Sequence, residues 1–205
     1  MLIIALKILA VIVLIYLALG VGMYFGQSRI IYHPGHDVVS VSPDEIGIEY
    51  EDVYFETEDG LRLHGWFVPE ERAEYTVIFC HGNAGNVGNR IENIRIFNEI
   101  GVNCFIFDYR GFGKSQGSPS EKGTYRDVRD AYRWLREKKG IAAGDMIAFG
   151  KSLGGPIAAK LAGERKTAGL VLENTFTNCA DMAGRLFPFF PGRYFTRFSY
   201  STIEY

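Results

Sequence analysis

The sequence predicts an α/β fold with a mostly parallel sheet and an amino-terminal antiparallel hairpin, preceded by one transmembrane helix. Three observations support this: an apolar run near the amino terminus, a hairpin pattern after residue 50, and then short apolar strands that alternate with amphipathic helices. Such alternation indicates parallel strands joined by helical crossovers. We therefore divide the chain into a transmembrane anchor at 1–27, a connecting segment at 28–48 and an α/β domain at 49–205.

Composition limits the function classes. The 205 residues are 47% hydrophobic with a net charge of -2, which suits one globular domain plus an apolar segment and indicates no nucleic-acid partner. The cysteines Cys80, Cys104 and Cys179 have no metal-ligand spacing. We interpret them as buried small hydrophobic residues, and we predict neither a disulfide framework, a metal nor a cofactor. The oligomeric state stays open.

The first predicted element is a membrane anchor. Residues 8–25 are uncharged and mostly apolar, a length that can just span a bilayer and contact its lipids. Residues 18–20 also resemble a small-x-small cleavage site, so a signal peptide is the alternative. The apolar run continues beyond that site to Tyr24 and Phe25, which favours an uncleaved single-pass anchor. Lys7 and the amino terminus slightly outweigh Arg29, which favours an extracytoplasmic domain.

An antiparallel hairpin is predicted next. Apolar and charged residues alternate over 53–57, Asp59-Gly60 forms a tight turn, and residues 61–68 return as the second strand. His64 lies in this second strand and is interpreted as a residue of its polar face.

Strands and helices then alternate to the end of the domain. The predicted strands are 75–80, 103–108, 146–149 and 168–172, and the predicted helices are 87–100, 119–137 and 156–162. Ser118-Pro119-Ser120-Glu121 reads as a capping box with proline at the first helical position. The last strand, 168–172, is expected to form an unprotected sheet edge that promotes aggregation.

The most informative motif follows the strand at 146–149. Gly150, Ser152 and Gly154 match G-x-S-x-G between a predicted strand and a predicted helix, the pattern of a nucleophile elbow. Such a turn raises the serine hydroxyl above the carboxyl end of the sheet, and its glycines avoid backbone collisions. The N–H of Leu153 at the start of the next helix is a candidate oxyanion donor.

A second loop is expected at the same edge of the sheet. His81-Gly82-Asn83 leaves the first parallel strand where this architecture takes its other oxyanion donor, so the N–H of Asn83 is the second candidate. The same small residues also suit a plain tight turn, and both interpretations are compatible. His81 is interpreted as shaping this loop rather than as a general base. Residues 108–113 should reach the same edge.

With these motifs in place, the chain resembles the α/β-hydrolases, and more narrowly the membrane-anchored, bud-emergence-type serine hydrolases. The resemblance covers nearly the whole chain and implies that Ser152 is the nucleophile in the hydrolysis of an ester, thioester or amide in a small-molecule or acyl substrate. The segments that carry it, besides the amino-terminal anchor, are His81-Gly82-Asn83-Ala84-Gly85-Asn86, residues 108–115, Gly150-Lys151-Ser152-Leu153-Gly154-Gly155 and Leu172-Glu173-Asn174-Thr175-Phe176.

The chain departs from the family pattern in one respect. The family's triad runs Ser, Asp, His along the chain, whereas this sequence has no histidine after His81. Glu173 is an alternative acid, but nothing replaces the base. We therefore expect the 205-residue form to be incomplete at its carboxyl end and nearly inactive. The alternative is a non-catalytic, membrane-tethered binding or scaffold protein. The aromatic residues from Phe187 onward are expected at the approach to the pocket.

Overall fold

The computed structural model describes residues 1–35 and 41–204. In these residues it contains the helices α1 Leu2–Ile31, α2 Ile91–Glu99, α3 Glu121–Lys138, α4 Gly154–Glu164 and α5 Cys179–Leu186. The strands are β1 His33–Pro34, β2 Glu51–Glu56, β3 Arg62–Val68, β4 Thr76–Cys80, β5 Ala84–Gly85, β6 Asn103–Phe107, β7 Met146–Lys151 and β8 Gly169–Glu173.

The main sheet has six strands in the order β2-β3-β6-β4-β7-β8. Strands β2 and β3 form the predicted antiparallel hairpin, and β3 also pairs antiparallel with β6. The remaining pairs, β6 with β4, β4 with β7 and β7 with β8, are parallel. The predicted mostly parallel sheet with an amino-terminal hairpin is therefore confirmed. It brings the carboxyl ends of β4 and β7 side by side, with Cys80 opposite Gly150.

Apolar side chains cover both faces of this sheet, because its central strands are apolar at consecutive positions. On one face, Phe97 of α2 contacts Phe79 and Phe149 with ring centroids 5.5 and 5.1 Å apart. On the other face, Trp134 of α3 stacks on Phe105 at 4.8 Å. This two-sided core fixes the strand ends that carry the candidate site.

Two predicted helix starts were wrong. Helix α3 begins at Glu121, and its cap is Ser120, whose hydroxyl accepts the N–H of Gly123 at 3.1 Å. Ser118 and Pro119 lie instead against the backbone of Gly111, where a side chain on that glycine would meet them. Helix α2 begins after a 3₁₀ turn at Val87–Arg90, and Ile100 follows its end and is exposed rather than buried.

Helix α1 is longer than the predicted anchor, since it continues through Ile31. By length and composition it can cross a membrane, although an amino-terminal signal sequence passes the same test, and no residue of the helix is fully buried. The connecting segment also contains structure. Residues His33–Pro34 pair in parallel with Ala84–Gly85, and Pro43–Ile46 forms a 3₁₀ turn.

Three side-chain predictions can be compared with the structure. All three cysteines are buried with free thiols, as predicted. Strand β8 is an edge strand in the described sheet, and Leu170, Val171 and Leu172 are 40 to 43% exposed. The interpretation of His64 as a polar-face residue was wrong: it is fully buried, with Nε2 2.7 Å from Asp52 Oδ1. Residues of the loop that follows β6 lie against it: Asp108 Oδ2 is 3.4 Å from His64 Nδ1, and Ser115 Oγ accepts the His64 N–H at 2.9 Å.

Candidate active site

Ser152 lies at a sharp turn between β7 and α4, with a φ of 52° that residues other than glycine rarely adopt. The flanking glycines explain why the chain can turn there. A side-chain carbon on Gly150 would lie 2.6 Å from the Cα of Gly155, and one on Gly154 would overlap the carbonyl oxygen of Cys80. The strand, turn and helix predicted from the G-x-S-x-G pattern are therefore present, with Ser152 at the bend.

Hydrogen bonds to neighbouring residues hold Ser152 in this conformation. Its N–H donates to the carbonyl of Glu173 at 2.9 Å, which continues the pairing of β7 with β8. Its own carbonyl accepts the N–H of Gly155 at 3.0 Å and the hydroxyl of Thr175 at 2.8 Å. Sequence reasoning gave Thr175 no role. Its position just beyond the strand that pairs with β7 is the signal that would have pointed to it.

The two candidate oxyanion donors line one cavity together with Ser152. Within the described residues, the backbone N–H groups of Leu153 and Asn83 and the hydroxyl of Ser152 make no hydrogen bond. Leu153 is only 2% exposed, which keeps water from most of its surface. A side-chain carbon on Gly82 would lie 3.6 Å from the Cβ of Ser152, so the Gly82-Asn83 loop lies directly against the serine.

The Asn83 loop is fastened to the end of α1. The carbonyl of Asn83 accepts the N–H of His33 at 2.9 Å, and the side-chain amide of Asn83 donates to the carbonyl of Ile31 at 2.9 Å. These bonds use the carbonyl and the side chain of Asn83 and leave its N–H available. The end of the amino-terminal helix thus positions a candidate oxyanion donor.

The cavity at Ser152 has a volume of about 260 Å³ and a largely apolar wall. No charged side chain and no histidine line it among the described residues. The wall consists of Gly20, Met23, Tyr24, Gln27, Ile30, Ile31, Asn83, Ser152, Leu153, Phe176, Cys179, Met182, Ala183, Leu186, Phe187, Phe190, Gly192, Phe195, Thr196 and Phe198.

Aromatic residues of the chain that follows α5 form part of this wall. Helix α5 ends at Leu186, and Phe187, Phe190, Phe195 and Phe198 after it all line the cavity. The aromatic residues from Phe187 onward were expected at the approach to the pocket, and that expectation is confirmed for these four residues. Phe189, Tyr194 and Tyr200 do not line the cavity.

Glu173, the alternative acid, reaches Ser152 through its backbone only. Its carboxylate pairs with Lys151, with Nζ and Oε1 2.7 Å apart, and it does not line the cavity. The structure therefore brings together Ser152, Leu153 and Asn83 at the cavity, and it directs the Glu173 side chain to a lysine.

His81 lies in the protein interior, next to the Asn83 loop. Its Nδ1 is 2.7 Å from the carbonyl oxygen of Gly82, and Tyr109 donates its hydroxyl to the carbonyl of His81 at 2.9 Å. Burial lowers the pKa of His81 to about 4, so its ring is neutral near pH 7. These contacts agree with a loop-shaping role.

Asp108 is a buried carboxylate behind the same loop, and sequence reasoning gave it no role. Its Oδ1 accepts the N–H of Val87 at 2.9 Å, and its Oδ2 is 3.4 Å from His64 Nδ1. A side-chain carbon on Gly113 would overlap Asp108 Oδ2. Residues 108–113 therefore reach the predicted edge of the sheet, but they support the loop from behind and do not line the cavity.

The histidines of the described residues all lie away from the cavity wall. His64 and His81 are buried, and His33 is exposed with Nε2 2.9 Å from the carbonyl of Ile30. His36 lies outside the described residues. In the described part of the chain, no group of three or more potential metal ligands comes together.

Comparison with known proteins supports the fold. A family model described as the alpha/beta hydrolase fold matches residues 75–199. The chain is 38% identical to the alpha/beta hydrolase domain-containing protein WAV2 of Arabidopsis thaliana over 80% of this chain and 56% of that protein. It is 36% identical to protein bem46 of Schizosaccharomyces pombe over 72% of this chain and 52% of that protein.

The similarity to an uncharacterized protein of Mycobacterium tuberculosis extends over more of the chain. The two are 34% identical over 98% of this chain and 72% of that protein. The chain thus spans about half the length of WAV2 and bem46 and about three quarters of this third relative.

Solved structures agree with the fold. An esterase of Pyrococcus furiosus has a TM-score of 0.68 at 24% identity, covering 78% of this chain and 62% of that chain. An alpha-beta hydrolase from Vibrio vulnificus has a TM-score of 0.64 at 27% identity, covering 78% of this chain and 59% of that chain. From the family model, the relatives and the sheet together, we conclude that the chain belongs to the α/β hydrolase family, with the bem46 and WAV2 proteins among its relatives.

Proposed function

We propose that the protein is a membrane-anchored serine hydrolase in which Ser152 attacks an ester, thioester or amide carbonyl. One observation carries this proposal. The hydroxyl of Ser152 and the N–H groups of Leu153 and Asn83 are all without partners in the described structure, and all three residues line the same apolar cavity. A hydroxyl and two N–H groups that are free around one apolar cavity are suited to a ligand with a carbonyl group.

The chemistry follows from this arrangement. Ser152 Oγ forms a bond to the carbonyl carbon, and the developing oxyanion accepts hydrogen bonds from the N–H groups of Leu153 and Asn83. The proton of Ser152 passes through a general base to the leaving alcohol, thiol or amine as its bond to the carbonyl carbon breaks. Water then attacks the acyl-enzyme, releases the acid and restores the serine. Loss of one oxyanion donor typically costs about 10²- to 10³-fold in rate.

The proposal requires a general base that the described residues do not bring to the cavity. A serine hydroxyl without such a base is a weak nucleophile near neutral pH. Since the chain spans about half the length of WAV2 and bem46, the activity is proposed for the whole protein. Glu173 remains a proposed alternative acid, and in that role its carboxylate would have to leave Lys151.

Membrane anchoring by α1 is part of the proposal. The helix is long and apolar enough to cross a bilayer, and its exposed side chains are suited to lipid. The charge on Lys7 and the amino terminus favours an extracytoplasmic domain.

Turnover of a short-chain p-nitrophenyl ester tests the function. In the whole protein, Ser152→Ala should reduce turnover to the background level, because it removes the nucleophile. Ser118→Ala is the matched control, since Ser118 is exposed and away from the cavity, and it should retain wild-type turnover. Equal turnover in both variants would contradict the proposal.

The alternative is a membrane-tethered binding protein without catalysis, which the lack of a histidine or carboxylate in the described cavity wall favours. It predicts that a folded, monodisperse protein shows no turnover and no labelling by a fluorophosphonate. Any turnover that depends on Ser152 would exclude it.

A further inference from the structure

One face of α1 contacts the domain, and the others do not. Its partly covered residues include Gly20, Met23, Gln27 and Ile31, which are spaced three or four positions apart and therefore lie on one face of the helix. Residues on the other faces, such as Phe25, are exposed and mostly apolar. From Gly20 to Ile31 this face covers about 16 Å along the helix axis.

Hydrogen bonds join this face to residues 187–198, which we call the aromatic segment. Gln27 donates from Nε2 to the carbonyl of Phe195 at 2.8 Å and accepts the N–H of Arg197 at 2.7 Å. Nearer the amino terminus, the hydroxyl of Tyr16 donates to the carbonyl of Phe189 at 3.1 Å. The aromatic segment is therefore attached to the apolar helix at two levels.

The cavity at Ser152 lies between α1, α5 and the aromatic segment. Its polar groups at Ser152 and Asn83 contrast with a wall of methionine, isoleucine and phenylalanine side chains, and no described wall residue is charged. The wall residues Leu186 and Phe195 are also exposed, as is Phe189, whose carbonyl bonds to α1. Apolar surface of this kind beside an apolar helix is suited to lipid rather than to water.

We propose that this cavity binds the acyl chain of a membrane lipid ester, which enters from the bilayer between α1 and the aromatic segment. This inference rests on the proposed function, because it assumes that α1 is in the membrane and that the ester carbonyl lies at Ser152. The uncharged wall favours a hydrocarbon chain, and the contact with α1 favours a lipid as its source over a dissolved ester. Soluble esters and acylated proteins are the competing ligands.

Photocrosslinking tests binding without requiring catalysis. The protein is placed in phosphatidylcholine vesicles that contain a phosphatidylcholine with a diazirine in its acyl chain near the ester. Trypsin should release residues 152–160 as one peptide, since Lys151 and Lys160 bound it. We expect lipid adducts on this peptide, because Leu153 is nearly buried and a lipid reaches it only through the cavity. Adducts confined to α1 would overturn the inference.

Variants of the cavity wall provide the control. Met182→Trp should abolish the adduct on the 152–160 peptide by filling the cavity, whereas Met182→Leu, with a similar volume, should retain it. If Met182→Trp does not fold, the positions of the adducts in the wild-type protein still show whether the lipid chain enters the cavity. A short-chain soluble diazirine ester that labels the peptide when the lipid does not would also overturn the inference.

The experiments can contradict the hydrolase proposal and the acyl-chain proposal independently of each other. Ser152→Ala should retain the lipid adduct, because chain binding does not need the hydroxyl. Crosslinking without any ester turnover would leave the cavity as a lipid site and contradict the hydrolase. Turnover of a short ester without lipid crosslinking would support the hydrolase and contradict the acyl-chain site.

Discussion

Ser152 has a left-handed backbone conformation that costs a residue with a side chain about 1 to 3 kcal/mol unless its surroundings enforce it. Three hydrogen bonds, with Glu173, Gly155 and Thr175, enforce it here. The strain is consistent with a serine whose hydroxyl must face a cavity rather than pack beside the sheet. Removing one of the three bonds should therefore affect both stability and reactivity.

Thr175→Val tests this support. The change removes the hydroxyl that donates to the Ser152 carbonyl, so we expect a loss of about 1 kcal/mol in the free energy of unfolding and slower reaction of Ser152 with a fluorophosphonate. Thr175→Ser keeps the hydroxyl and should restore both. Thr177→Val is the control, since Thr177 is exposed and its hydroxyl bonds to Asp181 rather than to the serine turn. The idea fails if Thr175→Val behaves like the wild type.

The buried ring of His81 should make the free energy of unfolding depend on pH. Its pKa is about 4 in the folded protein because burial disfavours the charged ring, against 6.5 ordinarily. Because the folded pKa lies below the unfolded one, the unfolded chain takes up a proton first as the pH falls. The free energy of unfolding is therefore at its full value above pH 6.5 and decreases as the pH falls toward 4. Between pH 7 and pH 5 we expect a loss of about 2 kcal/mol in the free energy of unfolding.

Denaturant unfolding in detergent at several pH values measures this loss. His81→Gln should make the decrease between pH 7 and pH 5 shallower, because the titrating ring is gone. His33→Gln is the matched control, since His33 is exposed, and it should retain the wild-type decrease. An unchanged decrease in His81→Gln would show that another group causes it.

Among the elements, the packing of β7 and α4 depends on backbone contact at Gly154. A side-chain carbon there would overlap the carbonyl oxygen of Cys80 on the neighbouring strand, and that backbone has little freedom to move. Helix α4 can therefore begin immediately after the serine turn only if position 154 is glycine.

Gly154→Ala should cost about 3 kcal/mol or more in the free energy of unfolding, because strand β4 or helix α4 has to shift. Gly169→Ala provides the comparison, since nothing lies within 4 Å of the added carbon, and its stability should stay within about 1 kcal/mol of the wild type. Chemical denaturation monitored by tryptophan fluorescence gives both values. Similar losses in the two variants would show that the close contact at Gly154 does not matter.

The sequence predicted the elements well where local pattern decides them. The hairpin, the parallel strands and the elbow follow from alternation, apolar runs and glycine positions. The start of α3 was wrong because Ser118 and Pro119 contact Gly111, a residue of the preceding loop. The burial of His64 could not be predicted either, since it depends on Asp108 and Ser115, which lie 44 and 51 positions further along the chain.

The segment that follows α1 meets the segment that follows α5 close to the candidate site. The hydroxyls of Tyr32 and Tyr200 are 2.8 Å apart, and that of Tyr200 is also 2.9 Å from Thr124 Oγ1. No local pattern predicts a contact between residues 168 positions apart. The sequence therefore predicted the turn at Ser152 between a strand and a helix, but not that α1 would form one wall of the cavity.

In detergent that covers the apolar helix α1, the edge strand β8 should still promote aggregation of the 205-residue chain. Its side chains Leu170, Val171 and Leu172 are partly exposed, and exposed apolar edge strands promote pairing between molecules. Val171→Lys should lower the aggregated fraction measured by light scattering, whereas Val171→Thr, which adds no charge, should lower it less. Aggregation that Val171→Lys leaves unchanged would point to another surface.

Mass spectrometry of a fluorophosphonate adduct shows which residue of the protein is the nucleophile. The whole protein is treated with the probe and digested with trypsin, and its peptides are searched for the added phosphonate mass. We predict the adduct on Ser152, in the peptide that ends at Lys160, and its disappearance in Ser152→Ala. An adduct on a different residue, or a folded protein that takes up no probe, would contradict the assignment of Ser152 as the nucleophile.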